Sequence, residues 1–249
     1  MHSLHNHTTL SDGRSEPDEV VQAALDGGLE TVGIADHFLT KKTRSIDAGE
    51  LPRYLTTVQE LKTRFAGKIK VLAGLEVDAS SARTTLDSLT PDLVRGLDYV
   101  LFEHVQDDLW DGIPFWEFLS IVKRLGLPCG LAHNDLGRNF VDVRKDYLVE
   151  VLVANRVFVE LNTGKRYSKM GKQYYELSET LIREFARSRV MFSLGSEGHR
   201  DDAADVGKAM EFARRNEMTA NLVTEHLWRS GSASSSATRA RSSAGATGV

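Results

Sequence analysis

Short apolar runs alternate along the chain with longer stretches in which apolar residues recur every three or four positions. A short apolar run bounded by polar residues is typical of a buried strand, and the longer periodicity is typical of an amphipathic helix. The pattern predicts seven strands, at residues 3–8, 31–36, 70–77, 99–104, 128–133, 157–162 and 190–196. It predicts helices between them at residues 16–26, 49–65, 114–124, 144–154, 177–187 and 203–216.

The regular alternation of strands and helices predicts the fold class. Strands joined through helices pair in parallel by right-handed crossovers. A closed or nearly closed α/β barrel is the architecture that best fits 249 residues with this pattern. From residue 229 onward the composition shifts to Ser, Ala and Gly without any aromatic residue. Such a segment cannot bury enough apolar surface to offset its ordering entropy, so we expect one domain over 1–228 and a disordered tail over 229–249.

Composition and charge narrow the classes of protein further. Apolar residues make up 41% of the chain and charged residues 27%, as in ordinary soluble proteins. The net charge of −4 disfavours a broad nucleic-acid-binding surface and leaves room for a local basic pocket. No run reaches the ~18 apolar residues of a membrane span, and the opening MHSLHNH does not resemble a signal peptide. The single cysteine, Cys129, excludes an intramolecular disulfide and a cysteine-based zinc site, so we expect a cytoplasmic location.

Histidines collect at the ends of the predicted strands. Six of the eight stand at or just beyond such an end, namely His5, His7, His37, His104, His133 and His199. The carboxyl ends of parallel strands in a barrel meet on one face, so residues far apart in sequence come within a few ångströms there. His5 and His7 are two positions apart on a strand, which puts both imidazoles on the same side and within reach of one metal ion.

Carboxylates join the same strand ends. Glu76 lies in the apolar run VLAGLEV, where a buried carboxylate needs cations or hydrogen-bond donors nearby. Asp12 follows the first strand, and Glu197 precedes His199 after the seventh. The full ligand set is His5, His7, Asp12, His37, Glu76, His104, His133, Glu197 and His199. Nine ligands exceed what one ion binds, so the sequence predicts two or three divalent ions, of the Zn, Mn or Fe type rather than Mg or Ca.

These residues and their surroundings resemble the PHP family (polymerase and histidinol phosphatase). The resemblance rests on HNHTTLSDG, ADH at the end of the second strand, GLEV, the histidines after the fourth and fifth strands, and SEGH. It implies a distorted (β/α)7 barrel with a trinuclear metal site at the strand carboxyl ends. By position it implies three ligand groups: His5, His7, Glu76 and Glu197; Glu76, His104 and His133; and Asp12, His37 and His199.

Three departures from the family pattern bear on substrate or metal preference. Glu197 stands where the family usually has Asp, and Asn134 stands where Pro is common. The family usually has a small residue two positions before the fourth-strand histidine, whereas Phe102-Glu103 precede His104 here. A second resemblance, carried by VELNTGKRYSK and SLGSEGHRDDAADVG, is to the histidinol-phosphatase branch of the family.

The chemistry implied is hydrolysis of a small phosphorylated substrate by a metal-activated hydroxide. We expect Glu76, His199, Arg166 and Arg200 to take part in catalysis, with the two arginines binding phosphate oxygens. L-histidinol phosphate is the substrate we expect first. The alternatives are a nucleotide or oligonucleotide phosphoesterase or exonuclease of the same family, an amidohydrolase, and a non-catalytic domain stabilised by metal ions.

Overall fold

A computed structural model describes residues 1–200 and 202–223, so the predicted tail lies outside the described residues. Nine parallel strand pieces make up the barrel, and they are β1 (His2–Ser3), β2 (Thr31–Ile34), β3 (His37–Phe38), β4 (Lys70–Ala73), β5 (Glu76–Asp78), β6 (Val100–Glu103), β7 (Cys129–Leu131), β8 (Phe158–Asn162) and β11 (Phe192–Gly195). An antiparallel pair, β9 (Ser168–Lys169) and β10 (Lys172–Gln173), stands apart from them and was not predicted.

The nine pieces trace the seven predicted strands, two of which are interrupted. Residues 35–36 separate β2 from β3, and residues 74–75 separate β4 from β5. The first strand is much shorter than predicted. Beyond β1, only Asn6 pairs as an isolated bridge, because the Thr8 backbone N–H bonds to the Asp36 side chain instead of to a neighbouring strand.

The strand order is that of a barrel. One sheet runs β1-β2-β4 and the other runs β11-β8-β7-β6-β5-β3, and all neighbours within these two sheets are parallel. Leu4 N donates to Leu194 O at 2.8 Å, and Asn6 forms a parallel bridge with Gly198, so the first and last segments lie side by side. These bonds complete the ring, and the predicted distorted α/β barrel is confirmed.

Helices follow the strands and cover the outside of the ring. They are α1 (Pro17–Asp26), α2 (Leu51–Arg64), α3 (Phe115–Leu125), α4 (Leu136–Asn139), α5 (Lys145–Ala154), α6 (Tyr174–Leu177), α7 (Glu179–Arg187) and α8 (Gly207–Arg215). Six of the eight match the predicted helices to within about four residues at each end. The short helices α4 and α6 lie in loops and were not predicted. Among the described residues, no helix has the length and apolar character needed to cross a bilayer.

A small apolar layer closes the barrel interior below the polar strand ends. Leu72, Leu101 and Phe158 pack there around Tyr99, while their neighbours in the strands face the helices. The Tyr99 hydroxyl donates to the Leu4 carbonyl across the barrel. A Cβ at Gly33 would lie 2.0 Å from the Tyr99 hydroxyl oxygen, so only glycine leaves room for this ring. The layer supports the polar residues at the carboxyl ends of the strands.

Candidate metal centre

All nine predicted ligands lie at the carboxyl ends of the barrel strands. His37 and Glu76 are the first residues of β3 and β5, where residues 35–36 and 74–75 interrupt the strands. The other seven lie in the loops that follow β1, β6, β7 and β11. The side chains of His5, His7 and Glu76 are fully buried, an arrangement that polar side chains adopt only with compensating partners.

One group of four ligands surrounds Glu76 on the side of β7. His5, Glu76, His133 and Glu197 each bring a nitrogen or oxygen atom to within 4.8 Å of the others. His133 Nε2 lies 2.8 Å from Glu76 Oε1, and His5 Nε2 lies 3.3 Å from Glu76 Oε2. The side chains come from four different strand ends, so the barrel itself brings them together.

Two further groups share His7. His7, Asp12 and His199 form one, and His7, His37 and Glu76 form the other. His37 Nδ1 lies 3.0 Å from Glu76 Oε2, and His199 Nε2 lies 3.5 Å from Asp12 Oδ1. Glu76 therefore belongs to two groups, as it does among the groups that the family resemblance implied.

His104 falls in a different group from the other eight ligands, although its ring centroid lies 6.5 Å from that of His133. It groups with Asp78 and Glu103, and its Nε2 lies 2.9 Å from Glu103 Oε2. Its ring stacks on Trp110 at a centroid distance of 4.9 Å, and its backbone has a φ of 62°, in the left-handed region. The observed groups therefore differ from those implied by the family resemblance, in which His104 joins Glu76 and His133.

Several buried ligand atoms form no hydrogen bond, although an imidazole or carboxylate atom lies 2.9 to 3.5 Å from each. These atoms are His7 Nδ1, Asp12 Oδ1, His37 Nδ1, Glu76 Oε2 and His104 Nε2. A buried polar atom without a hydrogen bond is costly and calls for an explanation, such as a bound metal ion. Imidazole nitrogens and carboxylate oxygens are ligands for divalent Zn, Mn and Fe. The residues present therefore fit divalent metal ions.

The electrostatics of the cluster favour ionised carboxylates. Burial by itself would raise the pKa of Glu76, but the nearby His5 and His37 outweigh burial and hold that pKa well below its usual range. Burial likewise opposes protonation of His37, yet Glu76 raises the His37 pKa to about 9. Burial and the neighbouring His37 lower the pKa of His7 far below its usual value. In the metal-free site, protonated histidines such as His37 therefore balance the charge of the carboxylates, a role that bound cations would take over.

Three residues outside the predicted ligand set support the ligands. Asp36 accepts hydrogen bonds from Thr8 N at 2.7 Å and from Ser11 Oγ at 2.5 Å, which fixes the turn that carries Asp12. Asn162 Nδ2 donates to Glu197 Oε2 at 3.2 Å. Glu160 bonds to two of the ligands in the first group. Its position in the apolar run VFVELN is the same signal that pointed to Glu76.

A cavity of about 420 Å³ opens over the ligands. Its wall combines charged and aromatic side chains, and besides five of the predicted ligands it includes Lys42, Thr43, Asp107, Trp110, Asn134, Arg138, Arg166, Tyr167 and Tyr174. Arg166 Nη2 lies 3.5 Å from His199 Nε2 at the edge of the cavity. Arg200 lines a separate shallow depression with Arg14, Ser15 and Glu19. Of the two arginines predicted to bind phosphate, the structure brings Arg166 to the cavity and leaves Arg200 outside it.

The sequence matches the PHP domain family over residues 3–199, which is most of the chain, and the protein belongs to this family. A Deinococcus radiodurans protein named "Probable histidinol-phosphatase" is 26% identical, covering 78% of this chain and 85% of its own length.

Two solved structures share the fold. Histidinol phosphate phosphatase (HisK) from Lactococcus lactis, in complex with zinc, L-histidinol and phosphate, superposes with a TM-score of 0.61 at 20% identity, covering 86% of this chain and 93% of that one. HisK from Listeria monocytogenes gives a TM-score of 0.61 at 17% identity, covering 84% and 99%. At these identities the structures support the barrel fold, and the family membership rests on the domain match.

Proposed function

We propose that this protein is a metal-dependent phosphomonoesterase that hydrolyses a small phosphorylated metabolite, with L-histidinol phosphate as the substrate. The observation that carries the proposal is the set of buried imidazole and carboxylate atoms that form no hydrogen bond, at the base of a cavity with Arg166 at its edge. A binding protein without catalysis would not need several adjoining ligand groups under an open cavity. The PHP family membership and the histidinol-phosphatase relatives support the same activity.

We infer that two or three divalent ions of the Zn, Mn or Fe type bind here. His5, Glu76, His133 and Glu197 would hold one ion, while His7, Asp12, His37 and His199 would supply the ligands of the others, with Glu76 as a bridge. Bound divalent ions lower the pKa of water to ~7, which supplies a hydroxide at neutral pH, and they neutralise phosphate charge.

The residues of the chain itself bind and orient the ester. Arg166 is exposed near His199, and its guanidinium would bind two phosphate oxygens in the paired geometry typical of arginine. Arg200 would reach the same phosphate only by moving from its position beside Arg14, so Arg166 is the arginine that we assign. Arg138 also lines the cavity, where it is held by Asp107 and by Asn139 Oδ1.

The organic part of the substrate would lie against the aromatic and acidic residues of the cavity wall. Trp110, Tyr167 and Tyr174 give this wall aromatic faces, and Asp107, which pairs with Arg138, gives it an acidic group. Histidinol carries an ammonium group and an imidazole ring, which suit a carboxylate and aromatic faces respectively. The Lactococcus protein, whose structure contains L-histidinol and phosphate, supports this choice of substrate.

A phosphate-release screen tests the proposal. Metal-loaded protein would be assayed with L-histidinol phosphate, sugar phosphates, nucleoside monophosphates and a nucleoside 3′,5′-bisphosphate. We expect kcat/KM to be highest for L-histidinol phosphate, by at least about tenfold. Equal rates on all of these esters would contradict the substrate assignment, and a higher rate on the bisphosphate would favour the nucleotide phosphoesterase alternative. No phosphate release from any ester would contradict the phosphatase activity itself.

A further inference from the structure

Glu160 lies inside the barrel, beneath the metal ligands. It belongs to β8, its side chain is 1% exposed, and it is not among the residues that line the cavity. Its two carboxylate oxygens bond to residues from two different strand ends. Oε1 lies 3.0 Å from His5 Nδ1, and Oε2 accepts the backbone N–H of His133 at 2.8 Å. One buried carboxylate therefore connects two ligands of the first group without reaching the substrate.

The contact with His5 determines which ring nitrogen is free. An ionised carboxylate only accepts hydrogen bonds, so His5 Nδ1 must carry the proton. The unprotonated nitrogen of the neutral ring is then Nε2, and Nε2 lies 3.3 Å from Glu76 Oε2. Metal ions bind imidazole through the unprotonated nitrogen, and the partner of the other nitrogen fixes ring orientation. Glu160 thus turns His5 toward the centre of its ligand group.

The contact with His133 acts on the backbone. His133 has a backbone φ of 29°, and residues other than glycine seldom adopt a positive φ. The bond from His133 N to Glu160 holds this conformation, in which His133 Nε2 lies 2.8 Å from Glu76 Oε1. The facing strand leaves space for the carboxylate, since a Cβ at Gly195 would lie 1.8 Å from Glu160 Oε1.

We propose that Glu160 is a positioning residue that sets the geometry of His5 and His133 as ligands of one metal ion. The proposal rests on the proposed metal-dependent function only in that a metal ion binds this group. Glu160 acts through the two histidines and contacts neither the ion nor the substrate. Removal of the Glu160 carboxylate should therefore weaken metal binding at the group that contains His5 and His133. Metal binding near His199 should stay unchanged.

Zinc titration of metal-free protein, followed by competition with a chromophoric chelator, tests the proposal. A glutamine in place of Glu160 has one accepting oxygen and one donating nitrogen, so it cannot accept hydrogen bonds from both His5 Nδ1 and His133 N. We expect Glu160→Gln to weaken one zinc site by about 10- to 100-fold, the range found for such outer partners. Zinc affinities within about twofold of the native protein at every site would overturn the proposal.

Two comparisons separate positioning from a general loss of stability. Glu150→Gln removes the charge of an exposed glutamate in α5 and should leave zinc binding unchanged. In a His5→Ala background, Glu160→Gln should reduce zinc affinity much less than in the native background. The effects of substitutions at residues that act together are not additive. Equal costs in both backgrounds would overturn the proposal.

A measurement on the native protein does not depend on whether variants fold. In zinc-loaded protein, nitrogen NMR of the histidine rings should find the proton of His5 on Nδ1 and the ion on Nε2. Zinc on Nδ1 would overturn the proposal. None of these readouts uses a phosphate ester. The positioning role can therefore fail while phosphatase activity is present, and it can hold if no ester is hydrolysed.

Discussion

The Tyr167 ring lies flat against the imidazole of His133, with ring centroids 3.6 Å apart and an interplanar angle of 8°. Its hydroxyl donates to Glu197 Oε1 at 2.9 Å. One side chain therefore touches two ligands of the same metal group and also lines the cavity. Tyr167 follows Arg166 directly in the loop after β8. Its contacts therefore attach the loop that carries Arg166 to the metal ligands.

The hydroxyl of Tyr167 should matter less than its ring. Tyr167→Phe keeps the stack on His133 and removes the bond to Glu197, and a hydrogen bond to a charged group contributes about 1.5–3 kcal/mol. We expect zinc affinity at this group to fall by roughly tenfold, which corresponds to ~1.4 kcal/mol. Tyr167→Ala should lower it further. Tyr147→Phe, at an exposed position, is the control, and equal affinities for all four proteins would contradict the assigned contacts.

Arg166 and Arg200 offer a direct comparison, since only the first lines the cavity. Arg166→Ala should raise KM for L-histidinol phosphate by about 10- to 100-fold, as expected for loss of a charge-assisted contact. Arg200→Ala should change KM by less than about threefold. Steady-state kinetics at saturating metal measure both. If Arg200→Ala has the larger effect, the position of Arg200 in the substrate complex differs from the one described.

Zinc affinity should rise with pH in the near-neutral range. Neighbouring Glu76 raises the pKa of His37 to about 9 against the effect of burial, so the metal-free protein holds a proton there at pH 7. An ion binds the neutral imidazole and must release that proton, so affinity should increase by up to about tenfold per pH unit for each proton released, until about pH 9. Calorimetric titrations in two buffers of different ionisation enthalpy count the protons. Zinc binding with no proton release between pH 6.5 and 8.5 would contradict this prediction.

His2 joins the first and last strands of the barrel in a pH-dependent way. Its Nε2 accepts the backbone N–H of Leu194 at 3.1 Å, and burial together with the amino terminus lowers its pKa to about 4. The unfolded chain takes up this proton near pH 6.5, so the folded state loses stability as the pH falls from about 6.5 to about 4. The expected loss, relative to His2→Gln, is about 3 kcal/mol at pH 4.

Urea unfolding of metal-free protein at several pH values measures the effect of His2. The glutamine variant can still accept the bond from Leu194 N and does not titrate. Parallel pH profiles for the two proteins would mean that His2 does not stabilise the closure between β1 and β11.

The convergence of the candidate ligands on one face could be predicted from sequence, since it depends on strand ends. A parallel barrel places His5, Glu76 and His199 on one face whatever the side-chain conformations are. The grouping of ligands depends on backbone and rotamer details that strand periodicity does not encode. His104 shows the difference, because its left-handed backbone and its contact with Trp110 turn it toward Glu103.

Other features could not be predicted because they depend on long-range packing. Glu160 meets His5 and His133 only after three strands assemble. The hairpin from Ser168 to Gln173 has too few residues for a periodic signal, and the first strand ends early because of the Asp36 side chain.

Metal-dependent turnover is the central claim. The most direct measurement is phosphate release from L-histidinol phosphate by chelator-treated protein as zinc or manganese is added back, with Glu76→Ala in parallel. We predict no activity without metal, recovery that levels off at two to three ions per chain, and no recovery in the Glu76→Ala variant, since Glu76 belongs to two of the ligand groups. Full activity in the chelated protein, or equal recovery in the variant, would contradict the proposed metal centre.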